Sequence, residues 1–205
     1  MADAAAIVAL GAATIGESGG RAMHARIKPV WSGAAVAGPV VTVRCAPTDN
    51  LAIHVAVAHA ATAGGVLVVQ TEGDDRGYWG EVLTTAAQAA GLAGLVIDGG
   101  VRDVAALEAH GFPTFARVVS LPGATKAIGG EVGGTVTVGD VAVAPGDWIV
   151  GDVDGVAVLP GPEVDDVVAR GEGRAAAEQT YFEALRGGAT TVELLGLDAS
   201  KVQRP

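Results

Sequence analysis

The spacing of apolar positions changes period repeatedly along the chain, and each change marks an element. Between Pro39 and Pro47, Val40, Thr42 and Arg44 alternate with Val41, Val43 and Cys45, which predicts a strand with one buried face. Thr48, Asp49 and Asn50 then offer helix caps. Leu51, Val55, Ala58 and Thr62 recur at helical spacing until Gly64-Gly65 ends the run. The continuous apolar stretch VLVVQT reads as a strand covered on both faces, and EGDDRGYWG as a polar, glycine-rich loop after it. The same cycle repeats as EVLTTAAQAAG (helix), LAGLVIDGG (buried strand), VRDVAALEAHG (helix) and FPTFARVV (strand). Before Gly33 the pattern is weakly helical, with Thr14 as a cap and ESGGRAM as a turn.

Strand and helix in alternation predict parallel β-α-β units with right-handed crossovers, whose ligands bind beyond the C-terminal strand ends. From Gly129 the character changes. GGEVGGTVTVGDVAVAPGDWIVGDVDGVAVLP has short valine-rich runs broken by Gly, Asp and Pro, the pattern of antiparallel strands, with a hairpin turn at Asp152, Asp154 and Gly155. After Pro162 a long charged helix is expected, with Gly171 and Gly173 placed to break or bend it.

Composition narrows the function classes. The chain of 205 residues is 50% hydrophobic but only 4% aromatic, so Ala, Val, Leu and Ile must fill one core while 31 glycines serve turns. A net charge of −10, from 13 basic and 23 acidic residues with no basic run, argues against a nucleic-acid partner. Cys45 is the only cysteine, which excludes an intrachain disulfide and a cysteine-rich metal site and suits a reducing, cytoplasmic setting. No stretch reaches the roughly 18 to 20 apolar residues that span a bilayer, and the N-terminus has Asp3 where a signal peptide would be basic, so neither a membrane partner nor export is expected.

Two strand-to-helix corners hold the candidate chemistry. Gly80 precedes Glu81, Val82 and Leu83 at a helix start, where free N–H groups and the helix dipole favour an anion; Glu81 could equally be an ordinary first-turn acid. Arg102 and Asp103 stand at the next corner. Arg102 offers a fork for a carboxylate and Asp103 a hard oxygen for Mg²⁺, or else a helix cap beside a surface arginine. His54 and His59 are five apart, off the i, i+4 spacing of paired metal ligands, and read as structural. Cys45 reads as a small buried hydrophobe. Lys28, Lys126 and Lys201, the only lysines, fall outside the rim loops, which disfavours an imine mechanism. Neither GEGRA nor GGTVTVG has the context of a nucleotide-binding loop.

Glu81, then twenty residues, then Arg102-Asp103 within GLVIDGGVRD resembles the signature of the RraA-like family, in its class II pyruvate aldolase branch. ATIGE, GPVVTV, DNLAIH, GEVLTTAA and PGDWIVGDVDGVAVLP extend the resemblance over most of the chain. The resemblance implies a three-layer β/β/α core with parallel β-α-β units and added antiparallel strands over residues 1–161. It also implies a helical arm, 162–205, packing on a neighbouring subunit of a homotrimer or homohexamer. It implies metal-dependent retro-aldol cleavage of 4-hydroxy-4-substituted 2-oxo acids, releasing pyruvate and a second 2-oxo acid, with oxaloacetate decarboxylation alongside. Asp103 then resembles the residue holding Mg²⁺ or Mn²⁺, Arg102 the one binding the pyruvoyl oxygens, and the amides of Val82 and Leu83, after Gly80, those taking the carboxylate. Glu81 stands where many members have Asp, in a position to order a water. Within GRAAAEQTYFEALRGG, Glu178 best matches the arm's functional acid, ahead of Glu172 and Glu183. The family's ribonuclease-regulator branch resembles the same core without the arm, and leaves protein-protein regulation as the alternative function.

Overall fold

The protein is described from a computed structural model covering residues 2–203. In chain order the elements are α1 (Ala4–Glu17), β1 (Arg21–Ala22), β2 (Lys28–Pro29), β3 (Val36–Cys45), α2 (Leu51–His59), β4 (Val66–Gln70), β5 (Gly77–Trp79) and α3 (Glu81–Ala89). They continue with β6 (Gly94–Val101), α4 (Val104–Ala109), β7 (Thr114–Val119), β8 (Gly130–Val132), β9 (Val136–Val138), β10 (Val141–Val143), β11 (Trp148–Gly151), β12 (Val156–Leu159), α5 (Val164–Arg186) and α6 (Thr191–Leu194). One mixed sheet runs β1-β12-β11-β3-β4-β6-β7-β2, with β5 on β6 and β8 on β3. β3, β4, β6 and β7 are mutually parallel, as the alternation of strand and helix requires.

Period-2 alternation divides the core. Leu67, Val69, Leu95 and Ile97 point to α2, α3 and α4, whereas Val66, Val68 and Val96 point inward to meet Val136, Ile149 and Val158 of the antiparallel half. The sheet therefore curls around a shared interior as a half-barrel with helices outside. Across β11 and β12, Val150, Ala157 and Leu159 face the opposite way, against Ile7 and Ile15 of α1 and Val164 and Val167 of α5.

Several expectations are corrected. Pro39 lies inside β3, not at its edge: Val36–Pro39 pair antiparallel with β11 and Val40–Arg44 pair parallel with β4, so the proline sits where the strand changes partners. Thr42 is buried too, so β3 is covered on both faces there. The buried stripe of α2 is Ala52, Ile53, Ala56 and Val57, leaving Val55 exposed; small alanines let this stripe pack where Leu51, Val55 and Ala58 were expected. Gly77–Trp79, read as loop, is a buried strand on β6, and Trp79 stacks on Phe112 with ring centroids 5.9 Å apart. Thr14 caps nothing. Asp3 caps α1 through the Ala5 N–H, and where Gly11 kinks the helix (φ 81°), Asp152 accepts the Ala12 N–H at 2.7 Å. α5 is continuous through Gly171 and Gly173; Gly171 is a close approach, since a Cβ there would lie 3.2 Å from Leu10. The other antiparallel pairs, including the Asp152–Gly155 hairpin, form as predicted.

Candidate active site

Two crossovers deliver the site. β5 ends at Trp79 and leads through extended Gly80 into α3, while β6 ends at Val101 and leads through Arg102 and Asp103 into α4. The Arg102 N–H donates to the Trp79 carbonyl (2.9 Å), fastening the corners together. Asp103 adopts left-handed backbone geometry (φ 58°), and its side chain makes no cap on its own helix. Its Oδ2 instead accepts the Glu81 N–H at 3.1 Å, across the gap between the corners. A strained residue whose carboxylate serves another element is a functional signal that simple capping would not produce.

Gly80 makes room for this. A Cβ there would collide with Asp103 Oδ2 and lie 3.2 Å from Arg102 Cγ. Arg102 Nε is 3.9 Å from Asp103 Oδ2, too far for a hydrogen bond, and both side chains are 45% exposed. Among the described residues, the N–H groups of Val82 and Leu83 find no acceptor, and Asp103 Oδ1 and the Arg102 guanidinium make no hydrogen bond. The corner thus presents an open carboxylate oxygen, an open guanidinium fork and two free amides.

These groups line a cavity of about 210 Å³, floored by Tyr78 and Trp79 and closed on another side by Asn50, His54 and Lys126. Those last three were missed. Asn50 had been read as a cap, but its Nδ2 donates to the Tyr78 carbonyl (2.8 Å) and its Oδ1 is buried without a partner among the described residues. His54 Nε2 is likewise buried and unpaired, and burial followed by the nearby Lys126 charge holds the ring's pKa below its ordinary value. The available signal was the i, i+4 spacing of Asn50 and His54, obscured by the comparison of His54 with His59. Lys126 overturns the expectation that no lysine reaches the rim: the stretch after β7 folds back over the cavity.

Other candidates stand elsewhere. The Glu81 carboxylate lies 3.5 Å from His110 Nε2 and is not part of the cavity wall, although its backbone N–H is central. Glu178 lines a separate groove between α5 and α6, with Arg174 Nε 3.0 Å away, so within one chain it does not meet Asp103. Glu172 and Glu183 are exposed on α5. Burial pushes the Cys45 thiol up to about 12, in keeping with a packing role.

The model of the RraA-like family, described as Aldolase/RraA, matches residues 2–158. The chain belongs to the RraA-like family. A relative from Halalkalibacterium halodurans, provisionally named 4-hydroxy-4-methyl-2-oxoglutarate aldolase, is 35% identical over 160 residues, 78% of this chain and 76% of its own. An uncharacterised protein from Pseudomonas syringae pv. tomato superposes with a TM-score of 0.76 at 25% identity, covering 90% of both chains. The Streptomyces coelicolor protein RraAS2, described as an unusual member of the RNase ES inhibitor RraA family, gives a TM-score of 0.71 at 26% identity over 87% of this chain and 92% of that one. These likenesses bear out the RraA-like α/β fold. No helix among the described residues is long and apolar enough to cross a membrane.

Proposed function

We propose that the protein is a divalent-metal-dependent pyruvate aldolase cleaving 4-hydroxy-4-substituted 2-oxo acids, with oxaloacetate decarboxylation as a second activity. The observation that carries this reading is the corner itself: an Arg102 fork, an Asp103 oxygen and the Val82 and Leu83 amides all open onto one small cavity. The aldolase-named relative supports it. Among the described residues no three His, Cys, Asp or Glu side chains cluster around a metal position. A single carboxylate with one free oxygen, beside a glycine that leaves space, still fits Mg²⁺ or Mn²⁺, which bind through one or two carboxylates with water and substrate completing the shell. Bound at Asp103, such an ion supplies positive charge to the keto oxygen of a 2-oxo acid.

The chain's own groups do the rest. The Val82 and Leu83 N–H groups hold the substrate carboxylate at the positive end of α3, and Arg102 donates to the C2 oxygen. In cleavage the C4 hydroxyl loses its proton and C4–O becomes a carbonyl as the C3–C4 bond breaks. The electron pair moves to the C2 oxygen as an enolate, and Arg102 stabilises it there before C3 is protonated to give pyruvate. Glu81, turned from His110, orders the water that takes the hydroxyl proton, and Glu178 arrives from the arm of a second copy in a homotrimer or homohexamer. Glu81→Gln retaining full turnover would remove Glu81 from that role.

The decisive assay is pyruvate release from 4-carboxy-4-hydroxy-2-oxoadipate and 4-hydroxy-4-methyl-2-oxoglutarate, with Mg²⁺ or with EDTA, for wild type and Asp103→Ala. Metal-dependent turnover that the substitution abolishes is expected. Because Lys126 lines the cavity, borohydride is added with pyruvate in a parallel sample; a reduced covalent adduct would replace the metal mechanism with an imine. Silence from both substrates and from oxaloacetate would favour the second reading, protein-protein regulation, which the RraAS2 likeness supports.

A further inference from the structure

Asp49 is a fully buried carboxylate with no ion-pair partner among the described residues. Its Oδ2 accepts the Thr125 hydroxyl (2.8 Å) and the N–H groups of Ala127 (2.5 Å) and Ile128 (3.1 Å), and its Oδ1 those of Leu51 (3.0 Å) and Gly129 (3.3 Å). Four of these five donors belong to residues 125–129, the stretch that carries Lys126. The fifth is the first N–H of α2, the helix that carries His54, and Asn50 adjoins it. The Asn50 N–H and the Thr125 carbonyl (2.9 Å), and the Thr125 N–H and the Thr48 carbonyl (2.8 Å), close the same joint. Burial alone would raise this carboxyl's pKa, but the Ala127 and Leu51 N–H groups, the Thr125 hydroxyl and the Ile128 N–H outweigh it and hold it below the ordinary range.

The joint borders the cavity. Lys126 has no ion-pair partner among the described residues, and Asn50 Oδ1 and His54 Nε2 are buried without partners beside it. Unpaired buried polar atoms are costly, and two of them on one wall, beside the exposed ammonium of Lys126, mark a place where a ligand's polar group completes the set. The Arg102 corner answers one carboxylate and the keto oxygen. A 4-substituted 2-oxo acid carries a second carboxylate, and Lys126 is the remaining cation on the cavity wall.

We propose that Asp49 is a positioning residue that gathers the 125–129 loop onto the start of α2, and so presents Lys126, with Asn50 and His54, to the second carboxylate of the substrate. This rests on the aldolase reading. An asparagine at 49 has the same shape, but whichever way its amide turns, an NH₂ faces N–H donors that the carboxylate had satisfied, and the loop is released.

The test is a double-mutant cycle on full-length protein with Mg²⁺, following pyruvate release from 4-carboxy-4-hydroxy-2-oxoadipate. Lys126→Met is expected to raise KM about tenfold or more with a smaller change in kcat, the scale of one lost hydrogen bond to a charged group. Asp49→Asn is expected to do the same, and the double variant to be no worse than Lys126→Met alone, because both remove one interaction. Hydrogen exchange of the Ala127 and Ile128 amides should accelerate in Asp49→Asn while the β4 and β6 amides stay protected. Thr125→Val, which deletes one donor, provides a milder version if Asp49→Asn folds poorly. Multiplying effects in the cycle, or an Asp49→Asn loss confined to kcat and melting temperature, would overturn the positioning role and leave the aldolase reading intact. A wild type that releases no pyruvate from any 2-oxo acid would overturn both.

Discussion

β6 bears Asp98 within the strand and leads to Asp103 just past its end, each aspartate with an arginine, and the two pairs are built in opposite ways. Asp98 is buried and takes two hydrogen bonds from Arg26, at Nε (3.2 Å) and Nη2 (2.8 Å), and a third from the Gly139 N–H (3.0 Å). Arg26 goes on to grip Asp140, which locks the β9–β10 turn over the sheet. Asp103 is half exposed, sits on strained backbone, accepts one N–H and stands 3.9 Å from Arg102 without a bond. A saturated pair resists change and serves shape. An unsaturated pair of the same residue types, held rigidly by Gly80 and the Trp79 carbonyl, has capacity left for a ligand.

The strongest way to break that contrast is to convert Arg102 to Lys, which keeps the charge but loses the fork. We expect kcat/KM for pyruvate release to fall by about 10²–10³, the usual cost of removing an anion-stabilising donor, with the melting temperature unchanged. A melting temperature that falls along with activity would place Arg102 in the structural class.

Asp98→Asn should show the reverse. Removing one partner of a buried pair costs about 3–5 kcal/mol; because the Arg26 side chain is 29% exposed, we expect about 2–3 kcal/mol, or roughly 4–12 °C in melting temperature, with kcat retained. The pH dependence sharpens the point. Burial raises the Asp98 pKa, but Arg26 and the Gly139 N–H lower it more, so the folded value lies below the ordinary carboxylate range. Its contribution is complete above an unfolded value of about 3.9 and disappears as pH falls through the lower folded value. The urea midpoint of wild type should therefore drop steeply below about pH 4, and less steeply in Asp98→Asn. Equal slopes would mean that Asp98 is not the group being protonated.

Much of this was legible beforehand. The run VLVVQT and the caps at Gly80 and Gly64-Gly65 carried the β-α-β order, because hydrophobic period and turn chemistry are local properties. The Arg102-Asp103 corner was visible because two charges beside a glycine break an apolar strand. Pro39 misled because a partner change inside a strand looks the same, in sequence, as a strand end. The α2 face misled because Ala52 and Ala56 bury as well as larger residues when the sheet lies close. His54 was legible only through its i, i+4 spacing to Asn50, whereas Lys126 was invisible for a different reason: its loop is tied to the start of α2 by Asp49, a contact across 76 to 80 residues that no local spacing encodes.

The smallest effect on the isolated fold should come from Glu178→Gln. Its pair with Arg174 is a partly exposed i, i+4 contact, worth about 0.3–0.5 kcal/mol, and Arg174 keeps Glu17 as a second partner. Stability should hardly move. If the arm reaches a neighbour's cavity, activity should still fall about tenfold, as for other groups acting through a metal's outer contacts. Mixing decides where the residue acts. An Asp103→Ala subunit retains Glu178, and a Glu178→Gln subunit retains Asp103. Co-refolded, the two should assemble some sites containing both wild-type groups and raise turnover above the sum of the two variants measured separately. Failure to recover, with mixed oligomers confirmed by native mass spectrometry, would confine Glu178 to its groove with Arg174 and place it with Asp98 among the carboxylates that serve shape.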